Sequence, residues 1–213
     1  MHRVILARHG THAEVGVVLS GRSDIGLTTR GHAEAAALAD ALGEAGLASL
    51  HTSPRRRARE TIAPLAARTG CAVQIAPALD EIDFGRLAGR SFADLDRDAD
   101  WQHWNARREI ARCPGGETMA EAIRRAAGYL YGLATEDFPA LCVTHCDIIR
   151  GLVADRLGLS MGALFAFDCD PASFTTLDLG DSAARIVGLN EHAWPPANDK
   201  PAAVTSAIAC DAP

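Results

Sequence analysis

Two histidines, several arginines and a pair of carboxylates stand in this chain close to where short apolar runs end. Arg8-His9-Gly10 follows the run Val4 to Ala7, and His145-Cys146 follows the run Ala140 to Thr144. Between them come Ser53 with Arg55, Arg56 and Arg57, then Glu81 and Asp83 in a segment without helical period. A neutral imidazole is nucleophilic, and a phosphoryl group is something it can carry covalently. Transfer to it needs cations around the phosphoryl oxygens and an acid to protonate the departing alkoxide. Arg8, Arg57 and His145 fit the first demand, Glu81 or Asp83 the second, with His9 as the nucleophile. Where arginine supplies the charge, neither a metal nor a cofactor is required.

Other chemistries drawn from the same residues fail on spacing. A cysteine-phosphatase loop starting at His145-Cys146 needs arginine at position 152, which is Leu152, and Arg150 falls two residues early. Zinc sets built from Cys142, His145 and Cys146, or from His9 and His12, lack ordinary ligand spacing. Arginines in the first turn of a helix oppose its macrodipole, so Arg55, Arg56 and Arg57 are poorly placed for stability. They are well placed to help a helix N-terminus hold phosphate. Arg55, Arg56 and Arg59 are read as facing solvent, the usual fate of long charged side chains, and what singles out Arg57 is a family resemblance in this segment. Cys146 reads as a small residue beside the site, and Trp101 and Trp104 as core contacts. His2, His32, His51, His103 and His192 have no partner pattern and read as structural or exposed.

The elements that must position these groups follow from periodicity. Val4 to Ala7 is an apolar run without polar alternation, the mark of a strand buried on both faces of a parallel sheet. In open sheets of that kind ligands bind beyond the carboxyl ends of the strands. A helix is expected from about Thr28, with Gly46 as its stop. Ala48 to Thr52 is a short strand, after which Ser53 caps a helix with Pro54 at its first position, running to about Thr69. Cys71 to Ala76 alternates like a strand. Positions 91–112 are polar and suggest short helices lying over the sheet. Pro114-Gly115-Gly116 is a break, Glu117 to about Thr135 a helix, Ala140 to Thr144 a buried strand, and about Asp147 to Leu157 a helix. Phe165 to Phe167, Ser173 to Leu179 and Arg185 to Leu189 read as later strands. Alternating strand and helix imply one α/β domain over 1–192 with a mainly parallel sheet. Residues from about 80 to 116 form a small insertion over the ligand edge, and 193–213 a loose tail.

Composition sets the outer bounds. The chain has 213 residues, 48% hydrophobic and 23% charged, with a formal net charge of −6. That balance argues against a nucleic-acid or membrane-surface partner, so any anion site must come from locally concentrated arginine. The six cysteines include no CxxC pair. There is no signal-peptide pattern and no apolar stretch of ~18 residues, so a cytoplasmic location with reduced thiols is expected.

Taken together and in order, these segments resemble the histidine phosphatase superfamily, also called phosphoglycerate mutase-like. The resemblance runs from about Arg3 to Asn190 and rests on Arg8-His9-Gly10, Leu27-Thr28-x-x-Gly31 and Ser53-Pro54-x-x-Arg57-Ala58-x-x-Thr61. It continues through Leu79-x-Glu81-x-Asp83-Phe84-Gly85, Pro114-Gly115-Gly116-Glu117 and Thr144-His145-x-x-Ile148-Ile149-Arg150. It implies a Rossmann-like three-layer α/β/α fold and a two-step reaction. His9 would become phosphorylated, Glu81 would donate the proton, and Arg8, Arg57 and His145 would hold phosphate. Arg22 is assigned to substrate contact. The short insertion and the Pro-Gly-Gly-Glu motif resemble the α-ribazole, broad-specificity and fructose-bisphosphatase-like phosphatases. The resemblance therefore implies hydrolysis of a small phosphorylated metabolite; a mutase-type phosphotransferase and a catalytically weak binding member are the alternatives. Where the family usually has Glu or Gln then Thr or Ser after the glycine, this chain has Thr11-His12, and Cys146 replaces the usual glycine after the second histidine. A homodimer is the oligomer to expect by default.

Overall fold

The computed structural model describes residues 2–180 and 184–194; most of the expected tail lies outside them. Strand β1 (His2–Arg8) occupies the inside of a six-stranded sheet of order β3-β2-β4-β1-β5-β6. Strands β2 (Ser49–Thr52), β3 (Val73–Ile75) and β4 (Ala140–Thr144) run parallel with β1, while β5 (Ser173–Leu179) pairs antiparallel with β1 and β6 (Ala184–His192) antiparallel with β5. Because side chains alternate along a strand, β1 feeds two cores. Val4 and Leu6 join one with Ile123, Ala126, Ile148 and Leu152; Ile5 and Ala7 join the other with Leu38, Ile62 and Leu65.

Those partners define the outer layers. Helices α1 (Thr29–Leu42) and α2 (Arg56–Thr69) cover one face. After α3 (Phe92–Leu95) and α4 (Ala99–Ala106), helices α5 (Met119–Tyr131) and α6 (Cys146–Leu157) cover the other. The result is the expected α/β/α arrangement. Thr28 caps α1 by accepting from Gly31 N, and Thr118 and Glu121 form a reciprocal capping box on α5.

The segment from Asp80 to Gly116 is organised around aromatic packing. Trp101 and Trp104 stack with centroids 5.4 Å apart, and Phe84 meets Trp104 edge-on at 5.4 Å. Its two ends close on each other through glycine. A Cβ on Gly85, which has φ +52°, would lie 2.1 Å from the Pro114 carbonyl oxygen, and one on Gly116 would lie 2.0 Å from that of Asp83. The Pro-Gly-Gly break is therefore a close backbone crossing.

Several expected boundaries are corrected. Ser53 is not the N-cap of α2, which is Arg55 with no side-chain capping bond; the Ser53 hydroxyl accepts from the Arg55 amide at 3.2 Å and also meets His145 Nε2 at 2.8 Å. Phe165 to Phe167 is not a strand: Met161–Phe165 forms a 3-10 turn, so the run leaves no extended edge to pair. Helix α1 stops at Leu42 before Gly43, ahead of Gly46, and α5 begins after Glu117, whose carboxylate is taken by arginines.

Candidate active site

The parallel register that opposes Arg8 to Thr144 brings the ends of β1 and β4 side by side. His9 and His145, the next residue on each strand, therefore face one another, with ring centroids 5.1 Å apart and edge-to-face. Both are buried. The His9 amide donates to the Thr144 carbonyl at 3.0 Å, tying the two strand ends together.

The His9 ring is held at one nitrogen only. Its Nδ1 lies 2.9 Å from the Gly10 carbonyl oxygen, which can only accept, so the ring proton sits on Nδ1 and Nε2 keeps its lone pair. Gly10 is required where it stands: a Cβ there would come within 2.8 Å of the Gly31 carbonyl oxygen, so the turn after β1 packs directly on the start of α1. The turn is also pinned by the Gly10 amide on Thr61 Oγ1 at 2.9 Å and by the Thr11 amide on Glu34 at 2.7 Å. Burial, then the charges of Arg57 and Arg8, hold the His9 pKa well below that of free histidine.

Arg57 rises from the first turn of α2 and is buried. It donates to the carbonyls of Gly21 at 2.6 Å and Ser23 at 3.0 Å, and from Nη2 to His145 Nδ1 at 3.1 Å. A guanidinium has no acceptor, so His145 Nδ1 accepts and its Nε2–H donates to Ser53 Oγ at 2.8 Å; Ser53 in turn donates to Asp80 Oδ1 at 3.3 Å. Burial first, and then Arg57, keep His145 neutral, with its pKa well below the ordinary value. Arg8 gives one N–H to the Cys169 carbonyl at 2.6 Å. The buried Nε–H groups of Arg8 and Arg57 have no partner among the described residues. Buried donors are rarely left so, and the cluster is suited to receive an anion.

Glu81 has the opposite electrostatics. Burial, followed by repulsion from Asp147, pushes its pKa up to about 8, against the pull of the Ile82 amide and Arg57. It is a protonated acid at neutral pH. Asp83 is not equivalent: its carboxylate accepts from Arg22 at 3.1 Å and from the Gly85 amide at 3.0 Å.

Arg22 was expected to touch substrate. Its guanidinium instead donates to the Glu81 carbonyl at 3.0 Å, Asp83 at 3.1 Å and Glu117 at 3.0 Å. Arg125 joins it, donating to the carbonyls of Ala78 and Glu81 and to Glu117. The two arginines thus brace the backbone that presents Glu81. Arg55, expected in solvent, pairs with Asp80 at 3.1 Å and donates to the Arg22 carbonyl at 2.6 Å; Arg56 is exposed and paired with Glu60. Asp80, Arg125 and the hydroxyl of Ser53 escaped sequence reasoning, because each acts through a partner far away in the chain. The spacing of Asp80 beside Glu81 gave the only available hint. His12 also enters the pocket wall, with its ring 5.1 Å from that of His9 and its pKa lowered to about 4 by burial and by Arg57 and Arg8. The Cys146 thiol, hydrogen-bonded with Cys169 and facing Arg8 and Arg150, is drawn down to about 6.

The family model described as histidine phosphatase superfamily (branch 1) matches residues 4–192. The glucosyl-3-phosphoglycerate phosphatase of Mycobacterium tuberculosis is 31% identical over 169 residues, covering 74% of this chain and 76% of that protein. Phosphoserine phosphatase 1 of Hydrogenobacter thermophilus is 26% identical over 196 residues, covering 89% and 92%. A solved structure of the mycobacterial glucosyl-3-phosphoglycerate phosphatase complexed with VO3 superposes with a TM-score of 0.78 at 28% identity, covering 90% of this chain and 100% of that one. Among the described residues no helix is long and apolar enough to cross a membrane.

Proposed function

The chain belongs to the histidine phosphatase superfamily, branch 1, and on that premise we propose that it hydrolyses phosphomonoesters of small metabolites through a phosphohistidine on His9. The observation that carries this reading is the pair of opposed protonation states. His9 is kept neutral with Nε2 free, while Glu81 is kept protonated at neutral pH. Two titratable groups pushed apart in this way divide naturally into nucleophile and acid.

In the first step His9 Nε2 attacks phosphorus, the P–O bond to the alcohol breaks, and Glu81 gives its proton to the departing oxygen. In the second, the Glu81 carboxylate takes a proton from water as that water attacks phosphohistidine, which releases inorganic phosphate and restores both groups. Arg8, Arg57 and His145 hold the equatorial oxygens. Charge-assisted bonds from preorganised donors strengthen as charge develops in the transition state. An arriving phosphoryl group would compete for the Arg57–His145 contact. His145 Nδ1, its lone pair released, would take the proton of a phosphomonoester monoanion and direct that N–H at a phosphoryl oxygen, with Asp80 behind Ser53 balancing the imidazolium, and would return the proton to the departing inorganic phosphate. The arginines supply the positive charge in this scheme, so no metal has a role in it.

The phosphatase names among the relatives support hydrolysis as the outcome. The test is hydrolysis of p-nitrophenyl phosphate with EDTA present, comparing wild type with His9→Ala. Turnover unaffected by EDTA and reduced by at least about 10³-fold in the variant is expected for loss of a covalent nucleophile. Equal turnover in both proteins would remove His9 from the mechanism, and loss with EDTA would bring in a metal.

A further inference from the structure

His9 has two imidazole neighbours at equal distance: the ring centres of His145 and of His12 both lie 5.1 Å from its own. The phosphatase scheme uses the first and leaves the second without a task. His12 stands where the family pattern usually has Thr or Ser, so it is a feature of this chain and not of the phosphate set which that pattern carries over. The residue is buried. A buried polar ring costs free energy unless its nitrogens find partners, and only one nitrogen of His12 does.

That partner fixes the tautomer. The Glu14 amide meets His12 Nδ1 at 3.3 Å, and a backbone N–H can only donate. Nδ1 therefore keeps its lone pair and the ring proton sits on Nε2. Burial, then Arg57 and Arg8, lower the pKa of the ring to about 4, so it is neutral at neutral pH. The Nε2–H makes no hydrogen bond to any described residue. His12 is thus the opposite tautomer of its neighbour: His9 offers a free Nε2 lone pair, His12 a free Nε2–H. The backbone holds the ring where it is. His12 forms an antiparallel bridge with Leu27, and the Thr11 carbonyl accepts from the Thr28 amide at 2.9 Å and the Thr28 hydroxyl at 3.0 Å. A fixed donor beside the nucleophile, with two arginines acting on it, calls for an anionic acceptor.

We propose that His12 is a further catalytic residue, whose Nε2–H donates to a nonbridging oxygen of the phosphoryl group, both in the substrate and in the phosphohistidine on His9. This rests on the phosphatase reading and adds a donor to it. A phosphoryl group joined to His9 Nε2 carries its oxygens into the space beside rings set 5.1 Å apart, where a hydrogen bond of about 2.8 Å from the second ring reaches them. Such a bond strengthens as charge gathers on the oxygens in the transition state. Because the donor is neutral, it brings no further positive charge beside the lone pair that must attack.

The experiment sets wild type against His12→Phe, which fills the ring volume without a donor, and His12→Gln, whose amide N–H stands near the place of Nε2. Two quantities are measured, kcat/KM for p-nitrophenyl phosphate and the inhibition constant of inorganic phosphate. In His12→Phe the first should fall by about 10- to 100-fold and the second rise by a similar factor, as loss of a hydrogen bond to a charged group produces. His12→Gln should stay within about threefold of wild type in both. A His12→Phe protein with the melting point of wild type, and within about threefold of it in both quantities, overturns the proposal. In the unmutated protein the proton resonance of His12 Nε2–H, assigned by its loss in His12→Gln, should move downfield as inorganic phosphate is added. Packing alone would not move it. If His12→Phe does not fold, or if His12→Gln falls as far as His12→Phe, this resonance decides. A downfield shift that saturates with phosphate supports the donor, and a His12 resonance that stays in place overturns it. If wild type does not turn over p-nitrophenyl phosphate, the phosphatase reading fails, and the same titration tests the His12 contact by itself.

Discussion

His9 and His145 are the same residue at the same point of two adjacent parallel strands, yet their hydrogen bonds separate them. His9 has Nδ1 on the Gly10 carbonyl, and its Nε2 is free. His145 has both nitrogens engaged, one by Arg57 and the other by Ser53, with Asp80 behind. Both are neutral for the same reason, burial among arginines. Neutrality alone therefore does not make a nucleophile. The difference lies in a glycine at one strand end, whose backbone can turn to offer a carbonyl, and a serine facing the other.

The strongest way to break the comparison, after loss of His9 itself, is His145→Ala. The strand end and Arg57 remain, but one donor to the phosphoryl group is lost. The expected fall in kcat is about 10²- to 10³-fold, with phosphohistidine still formed, as removal of a single transition-state donor produces. Trapping the phosphoenzyme by rapid acid quench checks this, and a variant that cannot be phosphorylated at all would make the histidines interchangeable. Glu81→Gln comes next. With its pKa raised to about 8, Glu81 loses its proton as pH rises through that value, so wild-type kcat/KM on an alkyl phosphate should decline above about pH 8. The variant should lose that limb and fall by about 10²-fold on alkyl phosphates, and much less on p-nitrophenyl phosphate, whose departing anion needs little protonation. Equal losses on both substrates would remove Glu81 from the acid role.

The legibility of the two strand ends was unequal for physical reasons. Val4 to Ala7 and Ala140 to Thr144 are unbroken apolar runs, and a buried parallel strand is what such runs form, so the placement of His9 and His145 followed from the sequence. The local cost of arginine at a helix N-terminus marked Arg55, Arg56 and Arg57 alike, and the match of Ser53-Pro54-x-x-Arg57 to the family pattern picked out Arg57. Ser53 was misread because Ser-Pro has the local form of a helix cap; the competing partner, His145, is 92 residues away and invisible to local pattern. The bracing contacts of Arg22 were hidden for a similar reason. Its partners Glu81, Asp83 and Glu117 come together only when the insertion closes on itself at Gly85 and Gly116. The short aromatic run at Phe165 was read as a strand, and the 3-10 turn over Met161–Phe165 replaces it.

The smallest expected effect sharpens the comparison most, because it leaves every phosphate-contacting side chain in place. Ser53→Ala removes the hydroxyl between His145 Nε2 and Asp80 without opening a large cavity. The His145 Nε2–H then loses its acceptor, and Asp80, 3.7 Å from Nε2, becomes the nearest carboxylate. The Nε2–H and that carboxylate are too far apart for a direct hydrogen bond without movement of the ring. Arg57 still keeps the ring proton on Nε2, but the ring is then held at one nitrogen only, and the cost of positioning it falls on the transition state. A fall in kcat of about three- to tenfold, with KM little changed, is expected from loss of one positioning hydrogen bond. Ser53→Thr, which retains the hydroxyl, should recover most of the rate. The His145 ring nitrogen resonances should move in the alanine variant while those of His9 stay where they are. If instead both rings shift together, the two strand ends form one network, and the division of labour between the histidines arises elsewhere than in their separate partners.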